Sequence, residues 1–197
     1  VTALAPGAER SIAARWISIL GHPFVMITLL IVSVSQRVNP GVGAVQSALL
    51  VAAVTILPVA ILMWRQVRGG RWSNADASEV GERPVLFGVA LAALGLLLLW
   101  LSVNDPRSFL VRGTLAVTLL LAVSAALTRW IKVSLHLMFA SLAATTLVLL
   151  GSAAGAVVLA GLPVLAWSRL ALQRHRLSEL LAGLALGLTA GIGLVKL

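Results

Sequence analysis

Apolar runs that approach the length of a bilayer-spanning helix recur along the whole chain, and no constraint on its fold is stronger. A membrane helix needs about 20 consecutive apolar residues, and Ala44–Trp64, Val85–Val103, Phe109–Thr128 and Leu180–Leu197 all come near that length. The chain is 60% hydrophobic and 11% charged, with a mean hydropathy of +1.05; a soluble domain carries roughly 25% charged residues. The expectation is an all-α, polytopic transmembrane helix bundle. No polar block is large enough for a separate soluble domain, so residues 1–197 read as one membrane-embedded domain. Within it, residues 1–20 are expected to form an interfacial N-terminal segment.

In chain order, Gly21-His22-Pro23 resets the direction after Ala8–Leu20, and a first span runs over about Pro23–Ser35, recruiting the preceding turn to reach sufficient length. Gln36–Gly43 is expected to turn, and Pro58 to kink the second span. Arg65–Pro84 is the one long polar loop. Two spans follow, then a polar cluster at Arg129–His136, then the spans Leu137–Leu150 and Ala156–Trp167 around a turn at Gly151–Gly155. A third polar cluster precedes Leu180–Leu197, whose Gly183, Gly187 and Gly191 suit close helix packing. A homodimer through that Gly-rich last helix is the lesser alternative. The total is seven apolar segments, or six if the first is only interfacial. All six tryptophans fall near the ends of apolar runs, as an interfacial belt requires. Val1–Ile12 has no apolar core followed by a small-residue cleavage site, so no removable signal peptide is expected.

Two spans separate the first polar cluster from the second, and two more the second from the third, so all three are expected on one membrane face. That face collects 11 of the Lys and Arg residues against 4 on the other, which favours a cytoplasmic orientation. The expected location is a plasma membrane, of the bacterial inner-membrane kind. The formal charge of +9 is explained by topology and anionic headgroups, so no nucleic-acid partner is expected. Cysteine is absent, which removes disulfides and thiolate chemistry.

Trp167–Gly183, WSRLALQRHRLSELLAG, concentrates Arg169, Arg174, His175, Arg176 and Glu179 in an otherwise apolar chain. His175 and Glu179 are four apart, so on a helix the carboxylate lies one turn beyond the imidazole on the same face and can orient it. Together the clusters offer two histidines, several guanidiniums and a hydroxyl, a combination suited to a tetrahedral oxyanion. No pair of histidines at metal-ligand spacing is present.

Ser168-Arg169, five residues, His175, three residues, Glu179 and then Gly183 resemble the third signature of the type 2 phosphatidic acid phosphatase superfamily, with Glu179 where most members have Asp. Lys132–His136 is similar to its second signature, usually Pro-Ser-Gly-His, retaining Ser134 and His136 but carrying Val133 and Leu135. Arg83-Pro84 resembles the end of the first, in which Lys stands seven residues earlier; Asp76 occupies that place here. The resemblance implies His175 as a nucleophile forming a phosphohistidine, Glu179 as its orienting partner, and His136 as general acid and then base. It implies Arg83, Ser134 and Arg169 as phosphate ligands, with Lys132 a further cation there, and neither metal nor cofactor. The implied activity is that of an integral membrane lipid phosphatase acting on a phosphomonoester or diphosphate of phosphatidate or polyprenyl type, with lipid phosphate and membrane lipids as partners.

Plainer structural roles exist for the same residues. Ser134 can cap a helix that starts at Leu135, since Leu cannot take positive φ without cost. Arg83-Pro84 can mark a helix start, Lys132 can snorkel beside Trp130, and His22 before Pro23 can open a helix. Two other functions compete. One is a Mg²⁺-dependent prenyl-diphosphate enzyme using Asn74, Asp76 and Glu79 as oxygen ligands; the other is a catalytically decayed lipid-binding or transport protein.

Overall fold

The computed structural model describes residues 6–38, 40–73 and 79–196, with side chains from Ser11 onward. The described residues are helical with short connections. In order they form α1 (Pro6–Leu20), α2 (Pro23–Val38), α3 (Val42–Val51), a π-helical turn (Ala52–Ile56), α4 (Leu57–Arg68), a 3₁₀ turn (Val80–Glu82), α5 (Arg83–Asn104), α6 (Phe109–Leu127), α7 (Leu135–Leu149), α8 (Ala153–Ala171) and α9 (Leu177–Lys196). Among the described residues, six helical stretches are long and apolar enough to span a bilayer, Ser11–Val38 and Val42–Arg68 among them, and α7 is a shorter apolar helix. The protein is therefore a membrane-embedded, all-α polytopic bundle, as its apolar runs predict.

Several boundaries differ from expectation, each for a local reason. Helix α2 continues to Val38, and α4 runs on to Arg68. Pro58 disturbs its span through the π-helical turn just before it. Leu57 N–H bonds Ala52 O, five residues back, which widens the helix where Pro supplies no N–H and its ring would press on a carbonyl. Thr55 Oγ1 bonds Val51 O at 2.7 Å in the same stretch. Of the six tryptophans, Trp72 departs from the belt pattern because it is buried.

The chain packs as two compact units, residues 1–30 with 133–195 and residues 31–132 with 196–197. In the second, Val51, Leu97 and Leu101 form a small core with Ile31, Leu50, Val54, Leu110 and Val111 against it.

The first unit is arranged around α7. All nine residues from His136 to Ala144 are buried, as befits a helix that is apolar on every side. At 15 residues and 1.5 Å per residue, α7 falls short of the roughly 30 Å hydrocarbon layer and is walled by its neighbours. It turns into α8 through Gly151, whose φ of 70° suits a glycine-terminated helix end. Gly151 N–H bonds Val148 O and Ser152 N–H bonds Leu147 O, the paired bonds of a Schellman turn. Against α9, contact is close because three glycines face α7. A Cβ on Gly183 would lie 2.5 Å from Ser134 O, one on Gly187 would collide with Ser141 Oγ and Met138 O, and one on Gly191 would reach Thr145 Cβ at 2.8 Å. Ser141 Oγ then bonds Leu184 O across the seam at 3.2 Å. The glycine stripe is thus occupied within the chain, and a homodimer on that face would have to displace α7.

Nor does α1 lie free. Ala14 is fully buried and Ser18 nearly so, Ser168 Oγ bonds Ala14 O at 3.1 Å, and Gly21 leaves room for Leu165. The opposite side of α1, with Ile12, Trp16 and Ile19, is exposed and suits lipid.

Gly187→Ala should cost about 1–3 kcal/mol by forcing α7 and α9 apart, whereas Gly193→Ala, where a Cβ meets nothing within 4 Å, should be neutral or stabilising by about 0.5–1 kcal/mol. Thermal unfolding of the two variants in one detergent gives the comparison.

Candidate functional site

The polar stretch between α8 and α9 is built by two helix ends. Helix α8 closes in a second Schellman turn, Gln173 N–H bonding Leu170 O and Arg174 N–H bonding Arg169 O. Here the left-handed residue is Gln173, with φ 55°, where a glycine would be easier. A non-glycine in that region costs about 1–2 kcal/mol, and strain of this kind gathers at functional sites.

Four residues on, α9 starts under its own cap. Arg176 O accepts from Leu180 N–H, and the Glu179 carboxylate reaches back to Arg176 N–H at 3.2 Å, the returning half of a capping box. The same oxygen, Oε2, lies 2.8 Å from His175 Nδ1. The pairing anticipated from spacing is present, but His175 precedes the helix instead of lying on it, because capping starts α9 at Leu177. A carboxylate can only accept, so Nδ1 carries the proton and, in the neutral ring, Nε2 carries the lone pair. The side chains are 2% exposed for His175 and 14% for Glu179.

Helix α7 begins beside this pair. Ser134 N–H bonds the backbone oxygen of Glu179 at 3.1 Å, which joins the N-termini of α7 and α9. With Leu135 in place of a glycine the chain enters the helix directly, from Ser134 in extended conformation. Ser134 occupies the N-cap position, yet its hydroxyl makes no capping bond; Oγ is buried without a hydrogen-bond partner. The capping role expected of that hydroxyl is therefore not what holds the helix start. His136, in the first turn of α7, is buried.

Arg169 comes from the last turn of α8 and is 1% exposed; a cation there is favoured by the helix dipole. Its Nη1 donates to Ser18 Oγ at 2.5 Å, and Ser18 Oγ lies 3.5 Å from His136 Nε2. His22 sets its ring edge-on to His136, centroids 5.3 Å apart. As its position before Pro23 suggests, His22 opens α2, accepting Phe24 N–H on Nδ1 at 3.3 Å. Sequence reasoning left Ser18 out altogether and gave His22 only a helix-opening role. His22 carried a signal as one of three histidines; a lone serine in an apolar helix carries none.

Of the residues expected at one site, the first unit brings together Ser134, His136, Arg169, His175 and Glu179. Arg83 and Lys132 belong to the second unit. Arg83 opens α5 as the Arg-Pro pair suggests and is 2% exposed. It follows a capping box in which Glu79 and Glu82 exchange side-chain and backbone bonds, and Glu82 also accepts Ser73 N–H at 2.8 Å. Glu79 is engaged in that cap, while Asn74 and Asp76 lie outside the described residues. Lys132 is half-buried in the connection from α6 to α7.

Two adjoining helix N-termini, a buried guanidinium and two buried imidazoles favour a compact anion with exchangeable protons. Comparison with protein-family models, curated proteins and solved structures finds no match.

Side-chain ¹⁵N NMR should find neutral His175 protonated at Nδ1, and Glu179→Ala should shift the ring toward the Nε2–H form. An unchanged tautomer in that variant would show that Glu179 does not set it.

Proposed function

We propose that the protein is a membrane lipid phosphatase, hydrolysing a phosphomonoester or diphosphate carried on a lipid, with His175 as nucleophile. The observation that carries this reading is the buried His175–Glu179 pair, 2.8 Å apart, in the unit that also buries His136 and Arg169. The family resemblance of these same residues points the same way.

In this reaction the Nε2 lone pair of His175 attacks phosphorus while the bond from phosphorus to the lipid oxygen breaks. His136 gives its proton to that leaving oxygen. Glu179 holds Nδ1–H and stabilises the positive charge that the ring acquires as the P–N bond forms. Arg169 and the α7 N-terminus, with the Ser134 hydroxyl, offset charge on the phosphoryl oxygens. A water then attacks phosphorus as His136 takes its proton, the P–N bond breaks, inorganic phosphate leaves and His175 is restored. No step requires a metal. The lipid tail stays in hydrocarbon while its phosphate enters the polar end of the bundle, so phosphate on a lipid anchor is the substrate class. The excess of Lys and Arg supports a cytoplasmic active face in a plasma membrane.

Phosphate release from phosphatidate and from a polyprenyl diphosphate, measured with and without EDTA, should be insensitive to chelation and should fall about 10³-fold or more in His175→Ala. Release that persists in that variant, or none from either lipid with the wild type, would overturn the reading.

A further inference from the structure

We infer that Ser18, on the N-terminal helix, is a positioning residue for the reaction, holding His136 and Arg169 in register; this rests on the phosphatase reading. Its hydroxyl stands between the two groups given the proton-transfer and charge-binding roles, 2.5 Å from Arg169 Nη1 and 3.5 Å from His136 Nε2. A guanidinium only donates, so Arg169 takes one lone pair of Oγ and leaves one proton and one lone pair. When His136 is neutral at Nε2, Ser18 can donate to it; when Nε2 is protonated, Ser18 can accept from it. Rotation about the Cβ–Oγ bond switches between the two without releasing Arg169. A hydroxyl that can bond the ring in either state keeps His136 in place as its charge changes during the cycle, and the 3.5 Å contact has room to shorten when the ring is charged.

The surroundings fit that task. Ser18 is 6% exposed, and α1 is fixed one turn earlier by the bond from Ser168 to Ala14 O and one residue past its end by Gly21 against Leu165. The hydroxyl is therefore delivered by a packed helix and not by a loop. His22, edge-on to His136, accepts on Nδ1 and so is uncharged in this arrangement, which spares a protonated His136 a like charge.

The test compares steady-state kinetics on phosphatidate for wild type, Ser18→Ala and Ser18→Thr in one detergent, with thermal unfolding of each. Ser18→Ala should lose about 10- to 100-fold in kcat, with KM changing by less than about threefold and the unfolding midpoint unchanged. Ser18→Thr, which keeps a hydroxyl, should recover most of the loss. With an active wild type, a normal kcat in Ser18→Ala, or a loss that Ser18→Thr does not restore, overturns the role of Ser18 and leaves the phosphatase reading standing. A wild type inactive on phosphatidate and on polyprenyl diphosphate overturns both.

Discussion

One glutamate ties the candidate site together. The carboxylate of Glu179 fixes the His175 ring and the N–H of Arg176, just before α9, through a single oxygen, and its backbone oxygen holds Ser134 at the start of α7. Hydrogen bonds to a charged group contribute about 1.5–3 kcal/mol each, more where water is scarce. The backbone bond also needs the two helices nearly in contact, which Gly183 permits one turn further along. Glycine packing and site geometry are in this sense one feature: a side chain at position 183 would move Ser134 away from Glu179.

The same economy governs the rest of the first unit. Between membrane helices there is little hydrophobic force, because lipid tails are as apolar as leucine, and close packing replaces it. Helix α7 takes that to its limit by being buried along nearly its whole length. The polar groups it carries at one end are consequently held away from lipid. The two Schellman turns of this unit differ instructively. The one remote from the polar groups has glycine in the left-handed position, and the one leading to His175 has Gln173, so backbone strain lies next to the proposed nucleophile.

Much of this was legible in the sequence. Apolar length specified a helical membrane bundle, and the five- and three-residue spacings of Arg169, His175 and Glu179 marked the pair that the fold joins. Gly183, Gly187 and Gly191 marked the helix contact, though not which helix they contact. Helix ends were harder, because they depend on hydrogen bonds that composition does not encode: α9 starts at Leu177 since Glu179 caps it, and α8 runs past Trp167 through Arg169. Ser134 stands at the N-cap, but its hydroxyl makes no capping bond. Ser18 was invisible, being one hydroxyl among aliphatics whose meaning arises only when α1 packs on α8. Trp72 resembled its five counterparts and is buried.

The claim on which the account stands is that His175 becomes covalently phosphorylated. Incubation with a lipid substrate labelled in its phosphate, followed by rapid quenching in alkali and peptide mapping, tests it directly. The account predicts an alkali-stable, acid-labile phosphoryl group on His175, absent from Glu179→Ala or much reduced there. Label on any other residue, or turnover with no phosphorylated protein at any quench time, would contradict it.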